Sequence, residues 1–85
     1  KPLLSREGAN IEIIANHEQL VSSDGPYESD ARIVQAFQPL PIFNGKYPLV
    51  GCWLIASKAA GLCIREDNSL ITGENSRVVP HLVLN

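Results

Sequence analysis

The chain has 85 residues, of which 45% are hydrophobic and 19% charged, with a formal net charge of −2. That composition fits one globular domain, or part of one, rather than a disordered chain. The seven Lys and Arg are scattered, which argues against sequence-independent nucleic-acid binding. Apolar runs fall short of the roughly 18 residues a membrane span needs.

The chain opens on Lys1-Pro2-Leu3-Leu4-Ser5-Arg6-Glu7-Gly8-Ala9-Asn10-Ile11. This is a polar loop centred on Gly8, flanked by a Lys and an Arg and set between apolar segments. Such a loop brings backbone N–H groups and cations towards an anionic ligand, such as a phosphate. The plainer reading, which local chemistry alone favours, is a β-turn with surface charges.

β signals follow. Ile11 to Ala15 is a short β-branched run, Asn16 to Gln19 reads as a turn, and Leu20 to Ser22 returns antiparallel. Ser23-Asp24-Gly25-Pro26 is a strong turn signal. Ala31 to Phe37 alternates well enough for a strand, with Glu28 to Val34 as the best helix candidate in a chain that favours β. Pro39 to Gly45 is a Pro-punctuated connector closed by the tight-turn pair Asn44-Gly45.

The near-continuous apolar run Tyr47 to Ala56 predicts a central strand buried on both faces. It pairs as a hairpin with Ala59 to Ile64 through Ser57-Lys58. Glu66 to Ser69 breaks the chain, Leu70 to Gly73 forms another short strand and turn, and Val78-Val79-Pro80 closes against Leu82 to Leu84. The expected fold class is α+β and β-dominated, a mostly antiparallel sheet of five to seven short strands.

Cys52 and Cys63 form neither a CxxC pair nor a disulfide framework. Two free thiols in a reducing compartment are expected, with a disulfide between neighbouring strands as the alternative. Lys1 in place of an initiator Met, and the absence of any Met, predict a segment excised from a longer protein, residues 1–85 being one portion of a domain. The high apolar share predicts a face buried against missing chain, so the segment alone should self-associate. The opening residues lack an apolar h-region, so no secretory leader is expected.

Three places carry candidate chemistry. The first is the opening loop with Lys1, Arg6 and Gly8. The second is Gln35-Ala36-Phe37-Gln38, whose backbone can pair with a purine edge and whose Phe37 is either a ring platform or a core aromatic. The third is Arg65, a fixed fork of donors at the end of a strand, suited to phosphate or carboxylate oxygens or to an ion pair with Glu66 or Asp67. His17 and His81 stand alone, with no zinc spacing, hydrolytic triad, Walker A or GxGxxG pattern.

In order, Lys1-Pro2, Arg6-x-Gly8-Ala9-Asn10-Ile11, Gln35 before Leu40-Pro41, Gly45-Lys46-Tyr47 and Arg65-x-Asp67-x-Ser69-Leu70 resemble the C-terminal end of the glutathionylspermidine synthase family. Thr72 to His81 resembles the ending of its stand-alone bacterial branch of acid–amine ligases. The resemblance implies part of an ATP-grasp fold that joins a carboxylate to an amine through an acyl phosphate, using ATP and Mg²⁺. It implies Lys1 on the nucleotide phosphates, and Arg6, Glu7 and Gly8 in the loop closing over ATP. Gln35, Ala36, Phe37 and Gln38 become a hinge strand beside the adenine, Leu70 a lining of its pocket, and Arg65 the cation on the transferred phosphoryl group.

Glu7 stands where the family's bifunctional enzyme has a different residue. The metal ligands and glutathione-binding surface of the family lie upstream, so no metal ligand is expected in this segment, and the segment alone should be inactive. The implied partners are ATP, a peptide-like carboxylate such as glutathione, an amine such as a polyamine, and the rest of the parent chain, in the cytoplasm, without nucleic acid or membrane. The competing expectation is a small β-rich binding or interaction module without catalysis.

Overall fold

Two hairpins organise the chain, and both turn on consecutive residues with positive φ. A computed structural model describes residues 1–84. The first hairpin joins β1 (Glu12–Ala15) to β2 (Glu18–Ser22) antiparallel. Asn16 and His17 sit between them at φ 52° and 64°. Two such residues in succession make the turn whose twist matches that of paired strands. The turn is therefore shorter than the four residues Asn16 to Gln19 expected from sequence, and β2 starts at Glu18. A register shift between Ile13 and Ile14 leaves Leu20 bulged, since Ile13 faces Val21 while Ile14 faces Gln19.

The second hairpin joins β3 (Tyr47–Ile55) to β4 (Lys58–Asp67). Its turn is Ala56-Ser57, at φ 50° and 63°. Ser57-Lys58 was the expected turn, and the difference is one residue. β5 (Arg77–Val79) pairs antiparallel with β4, giving the order β3-β4-β5. Ahead of β3, Asn44-Gly45 turns at φ 50° and 75°, and Phe43 and Lys46 exchange backbone hydrogen bonds of 2.9 Å across it. That tight turn was legible from the Asn-Gly pair.

Five expectations need correction. The run Tyr47 to Ala56 is not a strand buried on both faces at the sheet centre. β3 is an edge strand and β4 the centre, and from Val50 onwards every residue of β3 is exposed. Ala31 to Phe37 forms no strand. Its pairing is limited to a bridge between Pro2 and Arg32, supported by Leu3 N–H to the Ala31 carbonyl (2.6 Å) and Ile33 N–H to the Lys1 carbonyl (2.8 Å). Leu70 to Gly73 is a bend and not a strand, because β4 runs on through Asp67 and the chain then folds back on itself. Leu82 to Leu84 lies outside any strand. No helix occurs among the described residues, so the α part of the expected α+β class is unfilled and the fold is all strand and loop.

The register also settles the thiols. Cys52 faces Leu62 while Cys63 faces Gly51, so the two side chains leave opposite faces of the hairpin. Both cysteines are free, as expected for a reducing setting, and a disulfide between them is sterically excluded.

The interior is small. Pro2 is fully buried, Ile71 is 7% exposed, and the one buried polar residue among those described is Asn10 at 7%. The accessible surface of 7004 Å² exceeds the roughly 5,000 Å² of a compact 9.3 kDa protein. The radius of gyration, 14.6 Å, likewise exceeds the ~12 Å of a compact 85-residue domain. On the β3–β4 hairpin, Trp53, Leu54 and Ile55 are each about 70% exposed at the tip. The expected apolar face is thus present in the structure.

Candidate functional site

The opening loop, the segment after β2 and the connection from β4 to β5 converge on one cleft of about 490 Å³. Arg6, Glu7, Gly8 and Ala9 form one wall, Ser22 to Tyr27 the second, and Asp67, Ser69, Ile71 and Gly73 the third. Local chemistry fixes each wall.

The first wall requires glycine. Glu7 and Gly8 both have positive φ, 57° and 73°. A Cβ at Gly8 would collide with the Thr72 carbonyl oxygen and come within 2.9 Å of Ile71 Cγ2. Gly8 thus lets the backbone of the loop lie directly on that of the third wall. Asn10 is also at positive φ, 54°, a conformation its short amide side chain tolerates.

The second wall is held by polar groups. Asn10 Oδ1 accepts the Tyr27 N–H at 2.8 Å, and the Asn10 carbonyl accepts from Arg32 Nη2 at 3.0 Å. The Ser23 hydroxyl accepts the Ile11 N–H at 3.0 Å and donates to the Gly8 carbonyl. Gly25 leaves room for the arrangement, since a Cβ there would sit 2.5 Å from Asn10 Oδ1 and 2.7 Å from Ala9 Cβ.

The third wall hangs from Asp67. Its Oδ1 accepts the Asn68 N–H at 2.6 Å and its Oδ2 accepts the Gly73 N–H at 3.0 Å. The Ser69 hydroxyl accepts the Ile71 N–H at 3.2 Å, and Ile71 packs inward as the main apolar anchor.

Of the residues singled out in the sequence, Arg6, Glu7 and Gly8 come together at the cleft. The others do not join them. Lys1 pairs its backbone with Ile33 and its side chain lies outside the cleft. Gln35, Ala36, Phe37 and Gln38 form no strand, and all four are exposed, so Phe37 is not a core aromatic. Leu70 is half-buried behind the cleft, whose lining comes from Ile71 instead.

Arg65 lies on β4 opposite Leu49 and Val78, exposed and, among the described residues, without an ion pair. The ion pair weighed for it with Glu66 or Asp67 is not formed. Sequence reasoning missed Asp67 and Ser23 as the groups that hold the walls; the only signal was that each precedes or begins a turn.

The cleft lining carries four carboxylates, Glu7, Asp24, Asp67 and Glu74, against one cation, Arg6. No three His, Cys, Asp or Glu side chains among the described residues gather to hold a metal ion. Nor is any helix long and apolar enough to cross a membrane.

Comparison with known proteins gives a consistent picture. Residues 1–84 match the model of the family described as glutathionylspermidine synthase preATP-grasp. A Haemophilus influenzae protein named "Putative acid--amine ligase" is 34% identical over 95% of this chain and 22% of its own length. The bifunctional glutathionylspermidine synthetase/amidase of Escherichia coli is 31% identical over 99% of this chain and 14% of its own. The trypanothione synthetase of Crithidia fasciculata is 34% identical over 89% of this chain and 12% of its own. The chain thus spans less than a quarter of the length of each of these relatives. With a match running along residues 1–84, it belongs to the glutathionylspermidine synthase preATP-grasp family.

Proposed function

We propose that the chain is the C-terminal, β-rich portion of an ATP-grasp acid–amine ligase. The observation that carries this reading is the match along residues 1–84 to one family, whose relatives bear the names of synthetases and ligases. The parent protein would take ATP, a peptide-like carboxylate related to glutathione, and an amine related to a polyamine. A carboxylate oxygen attacks the γ-phosphorus of ATP, ADP leaves, and an acyl phosphate forms. The amine nitrogen then attacks the carbonyl carbon, loses its proton and expels phosphate, leaving an amide.

In this reading Arg65 is the catalytic cation of the segment. A guanidinium carried on a paired strand, without a carboxylate partner among the described residues, is available to meet charge that builds on a transferred phosphoryl group. Arg6, with Glu7 and Gly8, belongs to the loop covering the phosphates, and Lys1 reaches them from the neighbouring bridge. Gln35 to Gln38 and Leu70 face the adenine once the upstream part of the parent is in place. In this reading magnesium would be held by residues outside the segment.

The test is Arg65→Ala in the full-length protein. ATP-dependent ligation should fall by about two to three orders of magnitude with the thermal midpoint unchanged. Full turnover in that variant would remove Arg65 from the reaction.

The acidic lining of the cleft favours a second reading, a non-catalytic β-rich module, because four carboxylates repel a polyphosphate that one arginine does not neutralise. Hydrogen exchange separates the two. ATP protection of the amides from Lys1 to Asn10 in the full-length protein supports the ligase, and its absence supports the module.

A further inference from the structure

We infer that Asp67 is a positioning residue that sets the spacing between the strand bearing Arg65 and the loop bearing Arg6; the inference rests on the ligase reading above. Asp67 ends β4 two residues beyond Arg65, so both side chains leave the same face of the sheet. Asp67 forms no ion pair among the described residues. Its carboxylate instead accepts two backbone N–H groups, one on each oxygen, from Asn68 and Gly73.

The second of these bonds closes residues 67–73 into a compact loop and brings Thr72 and Gly73 beneath the opening loop. A Cβ at Gly73 would lie 3.7 Å from Asp67 Oδ2 and 3.8 Å from the Glu7 carbonyl oxygen. Gly8 lies so close on the Thr72 carbonyl that it has no room for a side chain. An unbroken contact path therefore runs from β4 through Asp67, Gly73 and Thr72 to Gly8 and Arg6.

A carboxylate is the group this path needs. It offers two acceptor oxygens and no donor, whereas the isosteric amide offers one oxygen and an NH₂ that would face a second N–H. Bonds from backbone N–H to a charged acceptor are also the stronger kind. Two cations on separate elements act together on one polyphosphate only when their spacing is fixed, and small misplacements are costly in rate. The mark of Asp67 is therefore on nucleotide engagement, not on the acid or the amine.

The experiment uses the full-length protein with Asp67→Asn, Asp67→Ala and Arg65→Ala. Asp67→Asn should raise the KM for ATP by about five- to tenfold, with the KM values for acid and amine changed by less than about twofold. Its thermal midpoint should stay within about 2 °C of wild type. Asp67→Ala should show the larger ATP effect of the two, and the amides of Gly8 and Gly73 should exchange faster in both.

An unchanged KM for ATP overturns the inference. So does a parallel loss across all three substrates together with a fall in thermal midpoint, which marks a merely structural carboxylate. The Arg65→Ala arm separates this from failure of the ligase reading. Full turnover there sinks that reading and the inference with it, whereas loss of turnover beside a normal ATP KM in Asp67→Asn removes only the role of Asp67.

Discussion

Glu66 faces Arg77 across the β4–β5 ladder and accepts a hydrogen bond from its guanidinium at 2.6 Å, while Arg65, one residue away, has no acidic partner among the described residues. The arrangement follows from the pleat. Neighbouring residues on a strand point to opposite faces, so Glu66 is on the wrong side of the sheet to neutralise Arg65 and on the right side to meet Arg77. Two-thirds of the Arg77 side chain is exposed, so the pair is expected to contribute less than about 1 kcal/mol. Arg77→Ala should therefore lower stability in urea unfolding by no more than that. A loss above about 2 kcal/mol would mean that β5 depends on the pair for docking.

Gly8→Ala should destabilise the opening loop. The residue sits at φ 73°, and the added methyl meets the Thr72 carbonyl and Ile71 Cγ2. Strain and collision together should cost about 1–3 kcal/mol. Unfolding midpoints and amide exchange over residues 6–10 would register it. A neutral Ala at this position would show that the two walls are not in contact in solution.

Asn10→Ala leaves the Tyr27 N–H without its partner beside a buried site. An orphaned buried donor costs about 1–3 kcal/mol. Asn10→Asp retains an acceptor oxygen and should recover part of the loss. Equal losses in the two variants would point to packing rather than to the hydrogen bond.

The two thiols should react independently with a thiol reagent. Cys52 is exposed and Cys63 half-buried, on opposite faces of the hairpin. A thiol reagent should label both in the native state, Cys52 first. Mild oxidation should give dimers through Cys52 and no internal crosslink; a monomer with no free thiol would contradict the β3–β4 register.

The hairpin tip offers a further check. Trp53 is the single tryptophan and is 70% exposed beside Leu54 and Ile55. Its emission should be that of a solvated indole, readily quenched by acrylamide, and the 85-residue chain should bind a hydrophobic dye or self-associate. Trp53→Ser should reduce both. A blue-shifted, unquenched Trp53 in a dye-free monomer would show the tip to be covered.

The turns were legible in the sequence where their chemistry is local. Asn44-Gly45 announces itself, and Asn16 marks the first hairpin because asparagine tolerates positive φ. Ala56-Ser57 adopts the same backbone without either residue type, so residue chemistry points one position too far along, to Ser57-Lys58. Burial was not legible. Tyr47 to Ile55 has the composition of a buried strand, but composition does not report which neighbours a sheet has, and this strand is at the edge.

The site was legible by half. Arg6, Glu7 and Gly8 meet at the cleft because the loop is contiguous, whereas the clamp on its far wall joins Asp67 to Gly73 across six residues of irregular chain. Such a contact has no periodic signal.

The near-absence of a core has a calorimetric consequence. With Ile71 and Pro2 as the main buried apolar groups, polar staples such as Ser23, Asn10 and Asp67 supply most of the specific order in the loops. Heat-capacity change and denaturant dependence both scale with the apolar surface that unfolding exposes. Melting of the 85-residue chain should therefore be broad, with an increment well below the ~1.2 kcal/mol/K expected for a compact domain of this size.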